Sequence, residues 1–236
     1  MTHPLLSVIV PAHNEAATVE ASIRRVVGAP LPVALEIIAV DDGSTDGTGE
    51  LLERLQGLGL CHAVIRQPRR LGKGAAVRAG IARTTGAFVV VHDADLEYDP
   101  GDVAPMLALI QAGSADAVCG TRFGSGARTV HFFWRSLANR GLTALSNACT
   151  NLNLSDVNCG YKLVRGEVVR DLPLRARGFS IEVELVAQLA RRQLRVWEVP
   201  VSYSGRRNRD GRRTRWWHVP QQAAAILGCL LRPNRS

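Results

Sequence analysis

Short apolar, β-branched runs alternate with helix-length segments through the first half of this chain, and no other feature limits its fold as tightly. Residues 6–10, 35–40, 63–66, 87–92 and 117–120 read as strands, and residues 15–27, 48–56, 74–83 and 103–111 as the helices between them. Val8-Ile9-Val10 and Val89-Val90-Val91 are apolar without alternation, the pattern of strands covered on both faces. The expectation is an α/β chain with an open, mostly parallel sheet flanked by helices, in a single compact domain. Ligands of such sheets bind past the carboxyl ends of the strands, so the residues that follow each run matter first.

Beyond Thr121 the rhythm loosens. Gly124 and Gly126 mark a loop, residues 131–150 a long helix and residues 161–164 a strand. Residues 179–192 read as a helix with Ile181, Leu185 and Leu189 on one stripe, and residues 195–201 as a strand. Two halves are expected, 1–125 and 126–236, the second ending in a basic loop and an amphipathic helix over residues 220–231. With 236 residues and 46% hydrophobic side chains, the chain can bury a full core, which excludes disorder as its main state. No apolar run approaches the roughly 20 residues that a bilayer-crossing helix needs. The N-terminus lacks the charged region and small-residue cleavage site of a signal peptide, so a cytosolic chain is expected. The five cysteines stand at least ten residues apart, which excludes C-x-x-C zinc or dithiol chemistry and leaves free thiols.

The net charge of +8 is lopsided. Residues 1–200 carry 21 basic and 20 acidic side chains, whereas residues 201–236 carry eight Arg against the single Asp210. Throughout, the chain uses 27 Arg and only 2 Lys. A basic cluster of this kind serves nucleic acid, an anionic membrane or phosphates in a site, or is a solvated tail. Trp216 and Trp217 follow Arg212, Arg213 and Arg215, a combination suited to a membrane interface. No further aromatic platform for stacking bases accompanies them, so no nucleic-acid partner is expected.

Three strand ends are polar. After Val40 comes Asp41-Asp42-Gly43-Ser44-Thr45-Asp46, which reads either as a capped turn or as part of a site. After His92 comes Asp93-Ala94-Asp95, then Leu96 and Glu97. Carboxylates two apart beyond a buried strand are costly unless a positive group meets them. Mg²⁺ or Mn²⁺ meets that need, since such ions take oxygen ligands and are commonly shared with substrate phosphates. Leu71-Gly72-Lys73-Gly74 does not complete a P-loop: Gln67 stands where a Gly is required, and Gly74 where a Ser or Thr is. No G-x-G-x-x-G accompanies Asp41 and Gly43 either, which disfavours a dinucleotide oxidoreductase.

Taken in order, residues 8–15 (VIVPAHNE), 36–48 (EIIAVDDGSTDGT), 69–80 (RRLGKGAAVRAG) and 89–100 (VVVHDADLEYDP) resemble the family-two inverting glycosyltransferases of the GT-A fold. Residues 120–123 (GTRF), 139–147 (NRGLTALSN), 156–165 (DVNCGYKLVR) and 198–206 (EVPVSYSGR) resemble the polyprenyl-phosphate branch of that family, the dolichyl-phosphate mannosyl- and glucosyltransferase-like proteins. The resemblance implies a donor-binding first half and an acceptor-binding second half. It places Pro11, His13 and Glu15 in the first donor segment, with His13 departing from a frequent Tyr, and Asp41 at the nucleotide base. Asp93, Ala94 and Asp95 become the metal-binding D-x-D, with Glu97 where mannosyltransferases of archaea and eukaryotes usually carry Gln. Arg122, Arg135 and Asn139 fall where the family holds the acceptor phosphate, and Arg206 and Arg212 where a basic pair meets the donor diphosphate.

The implied activity is a metal-dependent, inverting transfer of a hexose from a nucleoside diphosphate sugar, GDP-mannose or UDP-glucose, to a polyprenyl phosphate. Asp93, Asp95, Arg206 and Arg212 would carry it, with Mg²⁺ or Mn²⁺ held by Asp93, Asp95 and Glu97. A phosphate acceptor, with a second pKa near 6, is already an anionic nucleophile at neutral pH, so His92 and Asp156 are given no catalytic role. Asp156 is a candidate base only for a hydroxyl acceptor. A lipid acceptor implies peripheral contact with the inner face of the membrane. The alternatives are a soluble phosphorylated acceptor, as in glucosyl-phosphoglycerate synthases, and a nucleotide-sugar binding subunit without turnover.

Overall fold

The computed structural model describes residues 5–124, 133–205 and 218–230. Its strands are β1 (Leu5–Ala12), β2 (Ala34–Asp41), β3 (Ala63–Arg66), β4 (Phe88–Val91), β5 (Ala117–Thr121), β6 (Lys162–Arg165) and β7 (Val196–Pro200). They form one sheet in the order β3-β2-β1-β4-β6-β5-β7. Every pairing is parallel except those of β6, which runs antiparallel to both β4 and β5. The open, mostly parallel sheet expected from the apolar runs is therefore present, with one reversed strand that the run Lys162–Arg165 did not announce.

Helices cover both faces. On one face lie α1 (Val19–Val27), α2 (Thr48–Gly57) and α4 (Val103–Gln111), which bury Ile23, Leu52 and Leu107 against Leu6, Val8 and Val10 of β1. On the other lie α3 (Lys73–Ile81), α6 (Gly166–Asp171) and α7 (Ile181–Arg191), which meet Ile9 and Ile38. Successive residues of β1 thus feed opposite cores, the period-two geometry of a strand buried on both sides. Ile181, Leu185 and Leu189 share one core as expected, while Val183 and Val186 on the far side of α7 enter a third cluster.

That third cluster is built by α7, α5 (Phe133–Thr150) and α8 (His218–Leu230), through Leu142, Val183, Val186 and Ile226. Gln222 of α8 is buried beside them and donates to Asn158 Oδ1 at 2.9 Å. Ala223 and Ile226, which share one side of α8, are therefore packed on the protein's own core, while Leu227 is exposed. Among the described residues no helix is long and apolar enough to cross a membrane.

Two boundaries differ from expectation for local reasons. Residues 15–18 form a turn rather than the first turn of α1, because the Glu15 amide is taken by Thr48 Oγ1 at 2.8 Å and its carbonyl accepts from Thr18 and Val19. The helix α6 was not foreseen; six residues are too few for a helical period to register. Cys61, Cys119 and Cys159 are buried free thiols, as the spacing implied.

Candidate active site

The order of strands reverses at β1, with β2 and β3 to one side and β4 to the other. The loops leaving β1 and β4 start on either side of that reversal, the usual ligand position in such sheets. The register pairs Pro11 with Val40 and Ala12 with Asp41, and the His92 amide donates to Ile9 O at 2.9 Å. Pro11, His13, Glu15, Asp41, Asp93, Ala94 and Asp95 are thereby gathered at one rim although they span some eighty positions of sequence.

The acidic loop after β2 divides its labour. Asp41 is buried, accepts from the Ser44 amide at 3.0 Å and lies 3.7 Å from Arg66 Nε. Asp42 accepts from the amides of Leu71, at 2.6 Å, and Gly72, which pins the Gly-Lys-Gly segment to the rim. Asp46, just ahead of the first turn of α2, accepts from the Thr48 amide and hydroxyl. Opposite them, Asn14 adopts a left-handed φ of 51° and accepts from the Thr45 amide. His13 Nδ1 is buried with no hydrogen-bond partner among the described residues, an orphan that a bound ligand can satisfy.

In the second acidic segment Leu96 holds φ 62°, costly for a bulky L-residue by roughly 1–2 kcal/mol. The strain folds the chain so that the Glu97 amide donates to Asp95 Oδ1 at 3.1 Å. Burial, together with the charges of Asp93 and Glu97, pushes the Asp95 carboxyl up to about 7. Tyr203 donates its hydroxyl to Glu97 Oε2 at 2.7 Å. The carboxylate oxygens of Asp93 and Asp95, in a half-buried segment, are the kind of donors a hard divalent cation takes. Among the described residues no three Asp, Glu, His or Cys side chains come together as a group that could hold a metal ion, so an ion at Asp93 and Asp95 would have to take its remaining ligands from substrate phosphates and water. His92 is buried, stands 2.6 Å from the Tyr161 hydroxyl through Nδ1, and is held neutral by burial, with its pKa pushed down to about 4.

Two lysines complete the rim: Lys73, which the failed P-loop match left without a role, and Lys162 at the start of β6. Lys73 Nζ lies 2.8 Å from Asp93 Oδ1 and 2.8 Å from Glu182 Oε1, and Lys162 Nζ lies 3.0 Å from Glu182 Oε2. Burial disfavours both ammonium groups, yet Asp93 and Glu182 around Lys73, and Glu182 beside Lys162, raise their affinity for the proton. Glycines make the approach possible. A Cβ on Gly72 would stand 2.5 Å from Arg177 O, and one on Gly74 2.4 Å from Ala176 O, so the segment leading into α7 crosses directly over Lys73.

The residues matched to an acceptor phosphate form a different arrangement. Arg122 is bidentate to the fully buried Asp156, Nε to Oδ2 at 2.7 Å and Nη2 to Oδ1 at 2.8 Å, and its guanidinium lies 5.2 Å from the Tyr203 ring centre. Burial works to raise the Asp156 carboxyl, but Arg122 overcomes it and holds the group below the ordinary carboxylate range. Asn139 is buried and spends its amide on Asp156 Oδ1 and Asn158, so it orients Arg122 instead of facing solvent. Arg135 is exposed one helical turn before Asn139 on α5. Arg206 and Arg212 lie outside the described residues, as do Trp216 and Trp217; the chain is described up to Gly205, two residues past Tyr203.

The glycosyl transferase family 2 model matches residues 7–172 of the chain. The dodecaprenyl-phosphate galacturonate synthase of Rhizobium johnstonii is 31% identical over 172 residues, 72% of this chain and 50% of that protein. The dolichol-phosphate mannosyltransferase of Pyrococcus furiosus is 30% identical over 201 residues, 84% of this chain and 56% of that one. The chain thus spans about half the length of these curated relatives. Among solved structures, glucosyl-3-phosphoglycerate synthase from Mycobacterium tuberculosis in complex with uridine diphosphate superposes with a TM-score of 0.74 at 25% identity, covering 98% of this chain and 82% of that one. That enzyme has also been crystallised with Mn²⁺ and uridine diphosphate. With the reversed strand order, the rim aspartates and the family model in agreement, the chain belongs to glycosyl transferase family 2, on a GT-A sheet.

Proposed function

We propose that the chain transfers a hexose, with inversion, from a nucleoside diphosphate sugar to a polyprenyl phosphate, acting as a peripheral enzyme at the inner face of the membrane. The observation that carries this reading is the half-buried Asp93-Ala94-Asp95-x-Glu97 segment at the rim where β1 and β4 part, opposite the unpartnered His13 Nδ1. Residues 1–125 would bind the donor and residues 126–236 the acceptor. Pro11, His13, Glu15 and Asp41 line the donor side, and Asp93, Asp95 and Glu97 would hold Mg²⁺ or Mn²⁺. When bound, the ion supplies a Lewis acid that offsets charge on the departing nucleoside diphosphate. Arg206 and Arg212 are assigned to the same diphosphate from sequence, as fixed cations.

On the acceptor side Arg122 meets the phosphate through Nη1, the guanidinium nitrogen that Asp156 leaves over, and Arg135 adds a second positive charge from α5. Asp156 is ion-paired and held ionised by Arg122, so it orients that arginine and takes no proton. A phosphate monoester dianion is itself the nucleophile.

Membrane contact is assigned to the first turns of α5 rather than to α8. Phe133, Trp134 and Leu137 are 69%, 76% and 49% exposed, beside exposed Arg135 and Arg140, and α5 carries no acidic residue. Exposed aromatic and basic side chains of this kind favour an anionic lipid interface. Replacing Phe133 and Trp134 together by Ser should lower liposome flotation at least about tenfold, because each large apolar side chain withdrawn from lipid forfeits about 1.5–3 kcal/mol. Unchanged flotation on phosphatidylglycerol-containing vesicles would remove α5 from the contact.

The experiment that tests the function is a donor panel of GDP-mannose, UDP-glucose and UDP-N-acetylglucosamine with short-chain polyprenyl phosphate and Mn²⁺, read by mass spectrometry of the lipid. A glycosylated lipid phosphate is the expected product. The similarity to glucosyl-3-phosphoglycerate synthase over nearly the whole chain favours a second reading, a soluble phosphorylated acceptor. Product on 3-phosphoglycerate and none on lipid would establish that reading instead. Neither product, and no donor hydrolysis, would leave a nucleotide-sugar binding subunit.

A further inference from the structure

The chain's two lysines meet at one carboxylate. In a protein that places Arg at 27 positions and Lys at 2, Lys162 is buried, Lys73 is mostly covered, and both contact Glu182, with side-chain exposures of 13% for Lys73, 2% for Lys162 and 10% for Glu182. A guanidinium is a broad planar fork, whereas an ammonium is a compact point charge. Only the latter suits the space under the carbonyls of Ala176 and Arg177, where the neighbouring Gly72 and Gly74 already lack room for a Cβ. The two lysines are not equivalent. Lys162 is enclosed, donating also to the Cys159 carbonyl, and anchors Glu182 from beneath. Lys73 faces the rim, and its second partner is Asp93, 21% exposed, the first aspartate of the D-x-D.

We infer that Lys73 is a resident counter-ion of the aspartate pair, which occupies Asp93 when no divalent ion is bound, and that Glu182, anchored by Lys162, is the positioning residue that shares its charge and limits its grip on Asp93. This inference rests on the proposed metal site. Its consequence is selectivity for a metal–diphosphate complex over a bare cation. An ammonium already on Asp93 repels a free divalent ion, but it attracts the negative charge that a nucleoside diphosphate brings with the ion.

The test is Mn²⁺ binding to the full chain, followed by the electron paramagnetic resonance signal of free Mn²⁺, with and without uridine diphosphate. Lys73→Met should bind Mn²⁺ alone about tenfold more tightly than wild type and lose most of the tightening that uridine diphosphate confers on wild type. Glu182→Gln should shift Mn²⁺ affinity the opposite way, weaker by several-fold, since Lys73 then leans on Asp93 undivided. A purely scaffolding role would weaken both variants. Lys73→Gln, which keeps a hydrogen-bond donor, serves if Lys73→Met does not fold, with circular dichroism and melting as the check. Measurable wild-type binding with no tightening in either Lys73 variant overturns the inference and leaves the metal site standing. Failure of both variants to fold assigns the lysine to the scaffold and overturns it as well. Wild-type protein that takes up no Mn²⁺ even with uridine diphosphate overturns the metal site and the inference together.

Discussion

Asp95→Ala should abolish metal-dependent sugar transfer, by about 10³-fold or more, while the metal-free protein melts no lower than wild type. The rate follows from removing an ion ligand: a loss of about 4 kcal/mol of transition-state stabilisation corresponds to three decades. The unchanged melting follows from the local charge. Burial and the neighbouring Asp93 and Glu97 push the Asp95 carboxyl up to about 7, so its ionised form does not add to the stability of the fold. Turnover assays with Mn²⁺ titration and a thermal melt check both halves. Wild-type turnover in the Ala variant, or full wild-type activity in EDTA, would take the ion out of the reaction.

The largest effect on stability is expected at Asp156, which is fully buried against Arg122. Asp156→Ala leaves the largely covered Arg122 guanidinium without its buried partner, a change that costs about 3–5 kcal/mol. For a chain of this size each kcal/mol is worth about 2–4 °C, so the melting temperature should fall by roughly 6–20 °C. The sign of the pH dependence is set by Arg122, which lowers the folded-state pKa of Asp156 below its unfolded value near 3.9. The stabilisation is therefore complete above the unfolded pKa and is lost as pH falls through the lower folded value. The gap between wild type and variant should be widest at neutral pH and close below about pH 4. Urea unfolding across that range is the measurement, and a neutral-pH difference under 1 kcal/mol would show that Arg122 does not depend on this partner.

These two residues also mark the limit of what can be read along the chain. Asp95 is visible because its surroundings are local: an apolar run ends at His92, and the carboxylates follow within five positions. The same holds for α4, found at residues 103–111 as expected, and for the stripe Ile181, Leu185 and Leu189 of α7. The role of Asp156 depends on Arg122, 34 positions away after β5, and on Asn139 from α5. Lys73 meets Glu182 across more than a hundred positions, and nothing in the Gly-Lys-Gly of residues 69–80 that carries it pointed to that partner. The reversal of β6 left no mark either, because a strand buried on both faces shows the same apolar pattern in either direction.

Amphipathic period left a similar ambiguity in the last helix. Ala223 and Ile226 share a side in any helix, but a lipid surface and a neighbouring helix accept that side equally well. Docking against α5 and α7 resolved it, by burying Ile226 with Val183 and Val186 and by giving Gln222 a partner in Asn158. Along the chain, then, were written the α/β layering, the rim position of the acidic residues and the membership of a glycosyltransferase family, since each depends on short-range period or on motif order. Packing alone decided which cations meet which carboxylates and which apolar faces stay exposed. Charge pairing in a low-dielectric interior is a matter of a few ångströms, and the distance between residues in sequence carries no record of it.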